Sequence, residues 1–267
     1  MARNLATEIF TEKSDTAVSA EGWFVIGGAT VKTLAGHDKV EGTNTDGVGI
    51  LINDTSTLDT GAGNDVITGT GGEHRIGIAI TNGSRLDTGA GNDVVTGTGG
   101  FYGIVFDDIG TLDTGDGNDV VTGTGGEYFG IGIFGGSILT GAGNDVVAGT
   151  GGQCGIGIYN GSILDTGAGN DVVDALKDGF CGNGTVRLGA GNDILKGFGE
   201  VNAFGGSGRD QILLGTGVYT ISDNTITKGA ISMNVSEFER IGGTKGNLFN
   251  FADGTLTVGS DGFATFA

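Results

Sequence analysis

Apolar residues along this chain come in bursts of two or three, set off by Gly, Asn and Asp, and they alternate with small or polar positions inside each burst. Residues 111–136 illustrate the pattern. Thr111-Leu-Asp113, Val120-Val-Thr-Gly-Thr124 and Gly130-Ile-Gly-Ile-Phe134 are three strand candidates joined by glycine-rich corners. No apolar set recurs at a spacing of 3.6, and glycine is costly inside helices, so strands are expected throughout. Alternation assigns the faces. Ile76/Ile78/Ile80, Ile131/Ile133 and Ile156/Ile158 should point inward, as should the column Ile67, Val95, Val121 and Val147. The opposite parity, Val66/Thr68/Thr70, Val94/Thr96/Thr98 and Val120/Thr122/Thr124, should face solvent, because columns of threonine are easier to solvate than to bury.

The pattern is periodic. Thr60-Gly-Ala-Gly-Asn-Asp-Val-Ile-Thr68 returns at Thr88, Thr114, Thr140 and Thr166, slightly altered at Leu188 and more loosely at Gly205. The motif aspartates are Asp65, Asp93, Asp119, Asp145, Asp171, Asp193 and Asp210, spaced 28, 26, 26, 26, 22 and 17 apart, and a weaker forerunner ends at Asp38. Three strands per period of 26 describe one coil of a parallel solenoid, whose apolar face can be buried only by stacking on the next coil. The expected fold is therefore all-β: a right-handed parallel β-helix (β-solenoid) with three short strands per coil and non-repeat caps at both ends. Residues 1–33 are expected to form an N-terminal cap or edge strand around Trp23-Phe-Val-Ile26, residues 34–214 the array, and residues 215–267 a C-terminal β cap.

Composition narrows the partners. The chain has 267 residues, 59 of them Gly and none Pro, and a formal charge of −19. Such a charge disfavours nucleic acid and anionic membrane and favours cations. No apolar run reaches the roughly 20 residues needed to span a bilayer as a helix, so no transmembrane segment is expected. The first ten residues lack the apolar core of a cleaved signal peptide. Cys154 and Cys181 fall on adjacent coils one place out of register, which reads as two small core residues rather than a disulfide.

The turn itself suggests chemistry. Its glycines (Gly61, Gly63, Gly89, Gly91, Gly115, Gly117, Gly141, Gly143, Gly167, Gly169, Gly189 and Gly191) let carbonyl oxygens turn to one side, and the aspartate adds a carboxylate. Stacked coils bring equivalent turns within about 5 Å, so facing turns offer carboxylates and carbonyls together. Six to eight oxygens in flexible geometry suit Ca²⁺, whereas Mg²⁺ wants a stricter octahedron and transition metals want His or Cys. Several calcium ions along one edge are expected.

Gly61-Ala-Gly-Asn-Asp65-Val-Ile67 resembles the repeats-in-toxin nonapeptide Gly-Gly-x-Gly-x-Asp-x-(apolar)-x. Thr replaces the first Gly in most copies, while Gly205-Gly-Ser-Gly-Arg-Asp210 keeps both. The likeness spans residues 57–214 with one motif per coil, where the family typically has two motifs in a coil of 18. It implies a calcium-loaded β-roll, and export by a one-step exporter that reads an uncleaved C-terminal signal. An extracellular or cell-surface location follows as an expectation.

Other features have competing readings. Asp59, Asp87, Asp113 and Asp165 precede the turns and look like a solvated edge. Nine residues after each turn aspartate the rule lapses, giving His74, Tyr102, Tyr128, Cys154 and Phe180, with Glu73 and Glu127 beside them. Glu73, His74, Tyr102, Glu127 and Tyr128 form a candidate ligand corner for a glycan, or for a lyase- or epimerase-like enzyme; a variable aromatic stack is the plainer alternative. The outward threonines resemble an ice-binding face, although Ala148 interrupts them. No catalytic residue stands out. A structural or extracellular-matrix scaffold, self-assembling end to end into a homo-oligomer or filament, is the first expectation, and a carbohydrate-active protein the second.

Overall fold

A computed structural model describes residues 2–267. Almost every element is a strand, and parallel coils stack into a β-solenoid of about nine turns with a repeat near 26 residues. Coils up to residue 191 contribute one strand to each of three sheets; the third sheet ends at Phe180–Gly182, and the shorter coils beyond it contribute to two. In the coil at mid-array the three strands are Thr111–Asp113, Val120–Gly125 and Phe129–Phe134, close to the bursts in the sequence. We call the sheets the Leu, Thr and Ile sheets after their commonest residues; they hold 13, 11 and 8 strands. Register follows the repeat: Leu58↔Leu86↔Leu112↔Ile138 in the Leu sheet and Ile67↔Val95↔Val121↔Val147 in the Thr sheet.

The interior is a bundle of aliphatic columns. Leu58, Leu86, Leu112, Ile67, Val95, Val121, Ile78, Ile80, Ile131, Ile133, Ile156 and Ile158 are all fully buried. Ile76 departs from its expected place: it is half-buried at the corner and faces the outside of the Ile sheet. The outward set Val66/Thr68/Thr70 and its equivalents are half-buried or exposed, as alternation requires.

Coils run beyond the repeated sequence at both ends. Thr16–Ser19, Trp23–Val25 and Thr30–Lys32 already form one, with Trp23–Val25 paired on both sides. Arg3–Asn4 and a 3-10 turn at Leu5–Thr7 close that end, with Leu5 buried against the core. Past residue 215, Ile231–Ser236 and Arg240–Gly243 still stack in parallel on Asn202–Gly208 and Gln211–Leu214. Antiparallel strands at Gly217–Ser222, Thr225–Lys228, Gly254–Val258 and Ala264–Phe266 then extend the Leu sheet, and Phe249–Asn250 ends the Thr sheet. Cys154 and Cys181 are joined by a disulfide, contrary to the sequence reading. Cys181 pairs in register with Gly157 rather than with Cys154, but the coil after Asp171 is short enough to bring the two cysteine Cα atoms to 6.1 Å, within disulfide reach. Among the described residues no helix is long and apolar enough to cross a membrane.

Candidate functional site: the buried aspartate column

The motif turns join the Leu and Thr sheets and stack as directly as the strands do. Ala62, Ala90, Asp116, Ala142, Ala168 and Ala190 bridge from coil to coil. Gly91 shows why the turn needs glycine. It sits at φ 137°, and a Cβ there would lie 1.6 Å from the carbonyl oxygen of Gly63 in the preceding coil. Carbonyl and α-carbon could not approach so closely past any side chain.

The motif aspartates point into the solenoid. Asp65, Asp119, Asp145, Asp171, Asp193 and Asp210 are 0% exposed and Asp93 is 1%. Each hands an oxygen to its neighbour. The Asp65 N–H donates to Oδ1 of Asp93 at 2.7 Å, and the Asp93 N–H to Oδ1 of Asp119 at 2.8 Å. Asp119, Asp145 and Asp171 continue the chain at 2.8 Å each, and Asp193 donates to Asp210 at 2.9 Å. Asp38 is a full member, donating to Asp65 and accepting from Asp15 N–H, both at 2.7 Å. At the far end Glu239 takes the place of an aspartate, accepting from Asp210 N–H at 2.7 Å.

The second oxygen of these carboxyls is the anomaly. Oδ2 of all seven, Asp65 through Asp210, is buried without a hydrogen-bond partner. The nearest candidates are the motif threonines. Thr60, Thr88, Thr114, Thr140 and Thr166 are fully buried, but each spends its one hydroxyl proton on a carbonyl of the next coil. Thr60 Oγ1 donates to Thr88 O at 3.4 Å and Thr140 Oγ1 to Thr166 O at 3.1 Å. Burial therefore raises all seven carboxyls above the ordinary range, and the backbone N–H each one accepts from the neighbouring coil only partly offsets it. Asp93 and Asp210 reach about 6, Asp119 and Asp171 about 7.

The arrangement has the chemistry of a cation rail. Its free donors are carboxylate oxygens only, which suits a hard ion. The turn glycines stand beside them, but their carbonyls also knit the coils: Gly61 O accepts from Ala90 N–H at 3.0 Å and Gly89 O from Asp116 N–H at 3.2 Å. Each such carbonyl keeps a second lone pair. Among the described residues no group of three or more His, Cys, Asp or Glu side chains converges on a point. A cation here would be held by successive carboxylates and turn carbonyls, not by a local acidic cage.

Outside this column runs a second, solvent-facing ladder. The N–H groups of Asn92, Asn118, Asn144 and Asn170 each donate to Oδ1 of the Asn one coil earlier at 2.7–2.8 Å, starting from Asn64, whose N–H reaches His37 Nδ1 at 2.7 Å. The aspartates that precede the turns lie in register on the outer Leu sheet, where Lys32 pairs with Asp59 at 2.5 Å and Arg85 with Asp113 at 2.6 Å. They are the solvated edge foreseen from sequence.

At the opposite corner the structure brings together four of the five candidate residues. His74 Nδ1 lies 2.6 Å from Glu127 Oε1. Tyr102 and Tyr128 stack at 5.3 Å and 16°, and Phe101 links Tyr128 to His74. Glu73 is exposed beside them. The column counted nine residues after each aspartate does not form, because corner lengths differ: Tyr102 pairs with Ile76, and Cys154 with Phe129. Sequence reasoning found the aspartates but missed their inward aim, the role of Glu239 and the threonine ladder. The invariant spacing of Thr and Asp within the motif was the signal for the last.

Comparison with known proteins identifies no relative: no family model matches the chain, and no curated protein and no solved structure matches it.

Proposed function

We propose that the chain is a calcium-loaded structural solenoid of the repeats-in-toxin kind, acting as a scaffold outside the cell. The observation that carries this reading is the line of seven buried carboxylate oxygens without partners. An unpaired buried charge is among the most expensive features a fold can hold. Seven in a row, about 4.8 Å apart along one edge, call for neutralisation, and a cation supplies it while using the lone pairs that hydrogen bonds leave free. Asp65, Asp93, Asp119, Asp145, Asp171, Asp193 and Asp210 would hold the ions with the turn glycines' carbonyls, and calcium would supply positive charge and cross-coil bonding rather than reactivity. The disulfide between adjacent coils fits an oxidising compartment, as does export of an acidic chain whose fold is completed by external calcium. Thr16–Ser19 and Thr30–Lys32 are the last strands of their sheets beside the Arg3–Asn4 closure, and those free edges support the further reading of end-to-end assembly.

A second reading, glycan binding at the far corner, draws on the exposed His74–Glu127 pair beside the Tyr102–Tyr128 stack. Isothermal titration of metal-free protein with calcium, with circular dichroism read in parallel, tests the first. Several ions per chain and a gain of β-signal and melting temperature are expected. No heat and an unchanged melt in excess chelator would end the calcium reading.

A further inference from the structure

The outer face of the Ile sheet is unlike the other two. The outer Thr sheet presents threonine, and the outer Leu sheet presents Asp, Lys and Arg. The Ile sheet presents an apolar strip that changes height along the solenoid axis. Its middle column is Phe24, Leu51, Ala79, Val105, Gly132 and Gly157, in register from strand to strand. Over the first part the strip is hollow. A trough of about 550 Å³ lies over Leu51, Ala79 and Val105, with Val48, Ile76 and Tyr102 along one wall and Thr81, Asp107 and, where the mound begins, Phe134 along the other. A smaller hollow of about 260 Å³ over Trp23, Phe24 and Ile26 adjoins it, sharing Val48 and Leu51.

Over the second part the strip is raised. Where the floor residue is Gly132 or Gly157, rings fold in over it. A Cβ at Gly132 would lie 2.9 Å from the Phe134 ring, and one at Gly157 would lie 3.1 Å from the Tyr159 ring. Phe134 and Tyr159 stack on each other at 5.4 Å and 14°, with Phe129 beneath them. The cause is local. Thr81 and Asp107 occupy, on earlier coils, the wall position that Phe134 and Tyr159 occupy on later ones, so the rings that fill one half of the strip are missing from the other.

We propose that this strip is a self-association surface, and that its occupant is a second copy of this chain turned end for end. Hollow and mound follow one another along the axis, with Val105 near the midpoint. A two-fold axis there, lying across the strip, sets the Phe134/Tyr159 mound of each copy into the Leu51/Ala79/Val105 hollow of the other. The contact is isologous and closes at two, unlike the head-to-tail contact of a filament. It does not depend on calcium. Six strands by about five residues give an area of roughly 400 Å² per copy, below the usual 800 Å² of a stable interface, so the dimer forms at high micromolar protein. Each copy carries −19, and the two Asp107 side chains approach each other beside the axis. Added salt therefore strengthens the pair by screening, and Asp107→Asn strengthens it further.

Sedimentation velocity from low micromolar to several hundred micromolar protein, at low and high salt, is the test. In chelator, where calcium-dependent end-to-end assembly is off, the wild type should pass from monomer to dimer without larger species. Val105→Glu, in the hollow, and Tyr159→Ala, in the mound, should each weaken the dimer by about tenfold or more. A mixture of the two variants should dimerise better than either alone, because the Tyr159 of the Val105→Glu copy then meets an intact hollow in the Tyr159→Ala copy. Circular dichroism checks that each variant is folded. Should Val105→Glu fail to fold, the half-exposed Leu51→Gln replaces it. A wild type that stays monomeric throughout overturns the proposal, even if the trough takes up a small apolar ligand. So does a dimer that neither variant weakens, or a mixture no better than its components.

Discussion

Replacing Asp119 by Asn should change stability in opposite directions with and without calcium. The amide keeps the oxygen that accepts from Asp93 N–H at 2.8 Å, and its NH₂ takes the place of the unpartnered Oδ2, next to a Thr114 hydroxyl oxygen able to accept. In metal-free protein at pH 7.5 the substitution removes a buried charge. Burial raises the Asp119 carboxyl from 3.8 to about 7. At about 1.36 kcal/mol per unit, ionising it in the fold costs up to about 4 kcal/mol. With an unfolding entropy of about 2.1 cal/mol/K per residue, that is a rise of up to roughly 7 °C in melting temperature. On the proposed calcium reading, the same substitution in saturating calcium would remove a ligand shared by the sites above and below it. A site filled at a hundredfold excess over its dissociation constant contributes about 2.7 kcal/mol, so two weakened sites cost up to about 5 kcal/mol.

Thermal melts followed by circular dichroism, in chelator and in excess calcium, read both signs from one pair of proteins. Asp113→Ala is the control. Its Arg85 pair is exposed enough to be worth about 0–1 kcal/mol, and it should leave calcium stoichiometry unchanged. An Asp119→Asn protein that melts lower than wild type in chelator would refute the idea of an uncompensated charge. One that keeps the full calcium-induced rise would refute the assignment of Asp119 as a ligand.

Three further outcomes follow from the same geometry. Because the column carboxyls titrate higher in the fold than in the unfolded chain, metal-free protein binds extra protons between about pH 4 and 7; its melting temperature should be highest near pH 4 and fall as pH rises through 7, with calcium flattening the neutral side, and a metal-free melt that rises over that interval would contradict the burial argument. Cys154→Ser, or reduction, opens a cross-link spanning 27 residues and should cost about 3.5 kcal/mol by loop entropy, measurable by urea titration against the oxidised protein. Gly91→Ala drives a Cβ into the Gly63 carbonyl and should lower the melting temperature far more than Gly161→Ala, where a Cβ meets nothing within 4 Å; equal effects would mean that the turns do not stack as described.

Much of this fold is legible because the motif sets the register by itself. Thr60 through Thr68 fixes one corner, and a column follows from each position, so Ile67, Val95, Val121 and Val147 could be aligned by counting alone. Counting fails where the coil is not constant in length. The corner after the Thr sheet takes one or two residues more or fewer from coil to coil, so Tyr102 lands beside Ile76 and not His74, and Cys154 reaches Cys181 across a shortened coil. Alternation fails at the turn aspartates for a different reason. It places residues relative to a strand, and the aspartates stand just before one, where two glycines of positive φ reset the direction of the chain. An acidic residue in a turn is expected to face water. Here the turn curls so that carbonyls knit adjacent coils, and the side chain is left no direction but inward. The same curl leaves Oδ2 without a hydrogen-bond donor, so the feature that sequence could not place is also the one that asks for a cation.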